Sequence, residues 1–240
     1  MQKEIDINKV VRQHLEMEQY FCGFTVKGTS QVTADVEEDS MNTAEKQKEL
    51  DKIAEEVLNC CCCGLISTRN KAVPGEGNPN ARIMFVGEAP GADEDAQGRP
   101  FVGRAGKLLD NILKACGLKR SDVFIANILK CRPPENRDPH AEEIISCLPF
   151  LQRQIEIIEP EVIIALGAHA ARTLLNSTES IGHLRGRFHE YNTGINKHPI
   201  KLMATYHPAY LLRNYSQENR RRVWEDMKKV LAELNLPVPQ

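Results

Sequence analysis

Residues 82–106, RIMFVGEAPGADEDAQGRPFVGRAG, constrain the fold more than any other stretch of the chain. Five mostly apolar residues, Ile83 to Gly87, have the length of a buried strand, and the sequence then turns abruptly polar, acidic and rich in glycine and proline. In an α/β domain the loops that leave central strands open onto a crevice, so a strand end of this composition is where a ligand sits. Glycine at 87 and 91 lets backbone approach a ligand closely. Phe101 lies between Pro100 and Val102, close in sequence to Glu88, Glu94 and Asp95. An aromatic among carboxylates at a strand end suggests a pocket that stacks a flat ring and handles water or protons.

The remainder of the chain repeats the pattern. Apolar runs over 123–129, 162–166 and 200–205 predict three more strands. Between and after them, helical spacing of apolar residues predicts helices over 106–116, 140–158, 168–175 and about 216–234, with Pro149 a candidate kink. Loops are expected at 131–139 and 181–187, and a strand or hairpin over 188–198. Strands alternating with helices predict a parallel sheet covered on both faces. Polar signatures follow each strand: EAPGADED, NILKCRPPENR, GAHA and HPAYLLRN. Loops leaving four parallel strands at one end would converge on one crevice. Upstream, a helix over 43–59 delivers the cysteine run, residues 24–42 read as a linker, and 5–20 as a docking helix or loosely ordered arm.

No apolar run approaches the ~20 residues that span a bilayer, and MQKEIDINKV lacks the apolar core of a signal peptide, so a cytoplasmic protein without a membrane is expected. The net charge of −2 does not announce a nucleic-acid binder in bulk, but Arg213, Arg220, Arg221, Arg222, Lys228 and Lys229 gather near the C-terminus, where a local basic face can bind phosphates. Eight cysteines in such a chain argue for metal rather than disulfides. Cys60 and Cys63 form C-x-x-C, and Cys131 and Cys147 complete a four-thiolate set suited to an iron–sulfur cluster or to structural zinc; the spacing does not choose between them. Cys61, Cys62, Cys22 and Cys116 are left over, Cys116 as a core thiol on an apolar helix face.

Taken together, Cys60-x-x-Cys63 with Leu65 and Arg69, GEGNPNA, GEAPGADEDAQGRPFVGRAGKLL, NILKCRPPENRDP and YHPAYLLRN resemble the family 4, iron–sulfur uracil-DNA glycosylases from about Cys60 to about Leu231. The resemblance implies a three-layer α/β/α sandwich around a four-stranded parallel sheet, with residues 1–45 an N-terminal extension and 46–240 the glycosylase domain. It implies a [4Fe-4S] cluster on Cys60, Cys63, Cys131 and Cys147. The implied reaction is hydrolysis of the N-glycosidic bond of deoxyuridine in single- or double-stranded DNA; separately, a monomer is expected. Bases are unreachable inside a duplex, so the target must be flipped into a pocket. The uracil site would comprise Glu88, Ala89, Pro90, Phe101, Asn127 and His207, with Phe101 stacking on the base, Asn127 reading its N3–H and O4, and His207 donating to O2 as negative charge develops there. Ala89 stands where a better-known glycosylase family carries a catalytic aspartate. Glu88, Glu94 and Asn136 are therefore the candidates for positioning water and excluding thymine's methyl group. Arg213, Asn214 and the loop around Leu211 and Leu212 would grip phosphate and wedge the duplex. His140, His169, His183, His189 and His198 lie outside the HPA motif and are taken as structural or exposed.

Two rivals belong to other classes. A non-catalytic iron–sulfur DNA-binding module would bind DNA and leave uracil intact, but binding alone does not need Phe101, Asn127 and His207 together. A zinc-stabilised nucleotide hydrolase would use Glu88, Glu94 and Asp95 to hold magnesium and would be colourless.

Overall fold

The computed structural model describes residues 41–192 and 199–239. The expected N-terminal arm and linker, Cys22, His198 and the last part of the expected 188–198 hairpin lie outside the described residues. Helix α1 (Thr43–Asn59) begins at Asn42, whose side chain accepts the N–H groups of Ala44 and Glu45 while Glu45 answers its backbone N–H. This reciprocal cap satisfies donors that a helix start otherwise leaves bare. There follow β1 (Glu76–Gly77), β2 (Ile83–Gly87), α2 (Ala92–Gln97), α3 (Arg104–Ala115), β3 (Phe124–Asn127), α4 (Ala141–Ile158), β4 (Val162–Leu166), α5 (Ala168–Leu175), α6 (Ile181–Leu184), β5 (Phe188–Tyr191), β6 (Ile200–Thr205), α7 (Pro208–Arg213) and α8 (Gln217–Glu233).

The sheet order is β1-β3-β2-β4-β6-β5. Its middle four strands are parallel, as expected, and the two edge strands are antiparallel additions. Every residue of β2, β3 and β4 is buried, because helices cover both faces. Alternation divides the strand side chains: Met84 and Val86 join α1, α4 and α5 in one core, and Ile83 and Phe85 join α3 and α8 in the other. The result is the α/β/α sandwich. Helix α4 runs on through Pro149, which has no N–H to give to the preceding turn. Two segments expected to be loops are short helices. In α2, Asp93, Glu94 and Asp95 fill the first turn, where acidic groups suit the N-terminal end of a helix. Among the described residues no helix is long and apolar enough to cross a membrane.

From β2 the chain moves to β3 on one side and then returns to β4 on the other. The strand order therefore reverses beside β2, and a crevice opens at the carboxyl ends there.

Candidate active site and thiol pocket

A cleft of about 630 Å³ occupies that crevice, and each of the four parallel strands delivers residues to it. Glu88, Ala89 and Pro90 leave β2, Asn127 ends β3, Gly167 to His169 leave β4, and His207 leaves β6. Phe101, Asn127 and His207, far apart in sequence, face this single cavity. The rings of Phe101 and His207 lie 5.6 Å apart, inclined by 31°.

Close packing sets Asn127 and Phe101 in place. Gly87 pairs with Asn127 across the strands, and a Cβ on Gly87 would sit 2.3 Å from Asn127 Oδ1 and 2.6 Å from Phe101 Cζ. Asn127 Oδ1 is buried and has no hydrogen-bond partner. Buried acceptors are rarely left so, because the bare oxygen costs ~1–3 kcal/mol, and Asn127 is one of the residues that line the cleft.

Phe101 adopts φ +51°, uncommon for a residue with a side chain. Two side chains hold it there. Arg120 donates to the carbonyls of Pro100 (2.5 Å) and Phe101 (2.9 Å), and Glu94 accepts the N–H groups of Val102 and Gly103, both at 2.8 Å. The other Glu94 oxygen accepts Gly91 N–H at 3.1 Å, so this carboxylate closes the start of α2 onto the Phe101 loop.

His207 caps α7: its Nδ1 accepts the N–H of Ala209 at 3.0 Å. Burial, with Arg213 adding to it, pushes its pKa down to about 4. The ring is therefore neutral near pH 7 with its proton on Nε2, a donor. Gly167, at φ +93°, leaves room for it, since a Cβ there would meet His207 Cβ at 3.0 Å.

Burial raises the carboxyl pKa of Glu88; His169 and Arg213 pull it down and Asp138 pushes it up. Candidate ligand atoms of Glu88, Asp138 and His169 all lie within 4.8 Å of one another, and His169 Nε2 is 3.5 Å from Asp138 Oδ1. His169, expected to be structural or exposed, has a 37% exposed side chain and lines the cleft with Glu88. Asn136 also lines it, at φ +55°, with Oδ1 accepting from Arg132 Nε at 2.9 Å. Arg213 stands among the lining residues, whereas Asn214 is the exposed C-cap of α7. Leu211, expected in the wedge, is 3% exposed and belongs to the core; Tyr210 takes the cleft side of the same turn. Asp95 is 1% exposed and accepts from Asn70 N, Asn70 Nδ2 and Lys71 N, tying down the chain that follows the cysteines. Arg120, Asp138, His169 and Tyr210 were not singled out as site residues by local pattern; the strand-end position of GAHA was the one signal for His169.

A second, small pocket gathers Cys60, Cys63, Cys131 and Cys147 from three separate segments. Arg69 Nη1 donates to Cys131 Sγ at 3.0 Å and Nη2 to Leu58 O at 2.9 Å. A thiol hydrogen bond between Cys63 and Cys147 draws Cys63 down to about 6 and pushes Cys147 up. Lys130 is 1% exposed, donates to Gln154 Oε1 at 2.7 Å, and is pushed down to about 7 by burial. Four convergent thiols with the Arg69 guanidinium and the Lys130 amine beside them fit a thiolate-bound metal centre.

The sequence profile of the uracil DNA glycosylase superfamily matches residues 74–228. The chain is 50% identical over 191 residues to the type-4 uracil-DNA glycosylase of Saccharolobus solfataricus, covering 78% of this chain and 87% of that one. It is 48% identical over 190 residues to the type-4 enzyme of Thermotoga maritima, covering 79% and 95%. A type-5 uracil-DNA glycosylase of Pyrobaculum aerophilum is more distant, at 29% over 216 residues.

Proposed function

Because the chain belongs to the uracil DNA glycosylase superfamily, we propose that it is a DNA-repair glycosylase that turns deoxyuridine out of DNA, hydrolyses its N-glycosidic bond and leaves an abasic site. The observation that carries the reading is the partnerless Oδ1 of Asn127, buried in the cleft that Phe101 and His207 also line.

Uracil presents an N3–H donor beside an O4 acceptor. Asn127 Oδ1 takes the first and its amide nitrogen supplies the second. Cytosine has an acceptor at N3, which would leave Oδ1 facing a lone pair, so the amide discriminates by repulsion as well as attraction. Phe101 stacks on the pyrimidine face, worth ~1–3 kcal/mol.

In the bond-breaking step, the electron pair of the C1′–N1 bond leaves with uracil, whose negative charge spreads onto O2. His207 Nε2–H donates to that oxygen, and the neutral ring is the suitable donor because it gains a hydrogen bond in the transition state without carrying a charge in the ground state. The water oxygen bonds C1′ and its proton passes to Glu88. Burial raises the Glu88 pKa, which suits it to take that proton. Asn136 orients the water beside it. Glu94 is assigned to positioning, because its oxygens are committed to three backbone N–H groups. Ala89 and Pro90 form the apolar floor, and Arg213 and Asn214 meet the phosphates on either side of the extruded nucleotide. The cleft is completed within one chain, which supports action as a monomer.

Cys60, Cys63, Cys131 and Cys147 would hold a [4Fe-4S] cluster. When bound, it supplies a rigid cross-link between the end of α1, the loop after β3 and α4, and so braces the segment that carries Asn127 and Asn136; no step of the cleavage is assigned to it.

The test is cleavage of a uracil-containing oligonucleotide, single- and double-stranded, with alkaline scission reporting abasic sites. Abasic product is expected from both, and Asn127→Ala should abolish it. Tight DNA binding with no abasic product from either strand form would overturn the reading in favour of a non-catalytic module.

A further inference from the structure

The thiol pocket contains one sulfur more than a four-iron centre needs. Cys62 lines it together with Cys60, Cys63, Cys131 and Cys147. Cys61, between them, is exposed and does not line the pocket. On the reading that the pocket holds a [4Fe-4S] cluster, we propose that Cys60 and Cys62 are alternative ligands to the same iron, so that the centre has five competent thiols for four positions.

The backbone supports an exchange at this corner and at no other. Cys60 is the C-cap of α1, already extended at φ −64° and ψ 134°, and the link runs non-helical to the 3-10 turn that begins at Gly64. Both ends of the link are fastened: Val57 and Leu65 are buried, and Arg69 holds the carbonyl of Leu58. Between these anchors Cys61 and Cys62 are exposed and Cys60 is half-buried, so small dihedral changes can move either Cys60 or Cys62 inward. Among the described residues, Cys131 and Cys147 have no second thiol beside them in the chain. Cys131 and Cys147 are 4% and 2% exposed, and the remaining described cysteine, Cys116, lies in the core on the opposite face of the sheet.

The exchange is balanced and moves no electrons. The Cys62 sulfur binds iron as its proton goes to solvent, and the Cys60 sulfur leaves as a thiolate and takes a proton up. The corner so duplicated is open to solvent through the exposed Cys62, so a Cys60 oxidised by peroxide could be replaced without loss of the cluster.

The test uses the full-length protein isolated without oxygen, with iron and acid-labile sulfide counted per chain, visible absorbance recorded, and folding checked by far-ultraviolet circular dichroism. Wild type, Cys61→Ala, Cys60→Ala and Cys62→Ala should each keep four irons. Cys147→Ala and the double variant Cys60→Ala/Cys62→Ala should lose the cluster. Alkylation of loaded wild type, read by mass spectrometry, should give adducts on Cys60 or on Cys62 but not on both in one chain, and this holds whether or not a variant folds. Depletion of Cys60→Ala to the level of Cys147→Ala, or adducts confined to one member of the pair, overturns the proposal while leaving the cluster reading intact. Wild type without iron overturns both.

Discussion

Replacing Glu94 with glutamine separates a carboxylate that builds the site from one that performs the chemistry. Glu94 is 8% exposed and accepts N–H from Gly91, Val102 and Gly103 at 3.1, 2.8 and 2.8 Å. Hydrogen bonds to a charged group contribute ~1.5–3 kcal/mol each. The glutamine oxygen can still serve Val102 and Gly103, but its NH₂ then faces the Gly91 N–H, so one bond is lost and two donors oppose. The expected cost is ~2–4 kcal/mol, which at ~2–4 °C per kcal/mol for a chain of this size lowers the melting temperature by roughly 5–15 °C. The activity effect is capped by what Phe101 contributes, because the Phe101 loop is what Glu94 holds. Stacking of ~1–3 kcal/mol converts to a loss of roughly 5- to 150-fold. That loss should appear equally in kcat/KM on a uracil oligonucleotide and in the inhibition constant of free uracil, since both need the ring in place. A single-turnover rate reduced more than ~10³-fold, with uracil affinity and melting temperature unchanged, is the signature of a lost general base and would refute the positioning role.

His207→Ala should reduce the single-turnover rate by ~10²–10³, the usual cost of one oxyanion donor. Its pKa in the folded protein, about 4, is below the unfolded ~6.5, so the native state binds fewer protons; the stability this gives is present above about pH 6.5 and is lost as pH falls toward 4. Melting temperature should therefore drop less steeply through that window in His207→Ala than in wild type. Gly87→Ala places a methyl 2.3 Å from Asn127 Oδ1, and should abolish uracil inhibition at a stability cost of only ~1–3 kcal/mol; retained uracil affinity would show that Asn127 does not read the base. Asp226, fully buried, accepts from Thr205 and Arg185, and Asp226→Ala should cost ~3–5 kcal/mol in chemical denaturation by stranding the arginine. Arg213→Ala should weaken binding to any DNA sequence and reduce the slope of log affinity against log salt by about one.

Of the four parallel strands, β2, β3 and β4 were legible as apolar runs buried on both faces, and β6 was legible although the exposed Lys201 interrupts its run. Edge strand β1 was harder, having two residues, too few to show a period, whereas β5 falls inside the stretch over 188–198 expected to be a strand or hairpin. Helix α2 hid in a segment rich in acids and glycine, where helix and loop share a composition. Leu211 and Tyr210 show the limit on a short helix, since neighbouring residues differ by about 100° in direction and only packing of α7 against the core decides which one turns outward. His169, Asp138 and Glu88 come from three different strand-end segments, so no local spacing could announce their meeting.

The order of residues alone determined which chemical groups the protein has to work with: an amide and an imidazole at the ends of strand-like runs, a ring in the loop that follows the first of those runs, and thiols enough for a metal. Only the tertiary structure decided what state those groups are in. It left Asn127 Oδ1 without a partner, set the His207 proton on Nε2, bound Glu94 to backbone rather than to water, and put a fifth thiol beside four. The division has a physical cause. Apolar periodicity is local and is written along the chain, whereas desolvation and hydrogen-bond pairing depend on atoms brought together from distant segments.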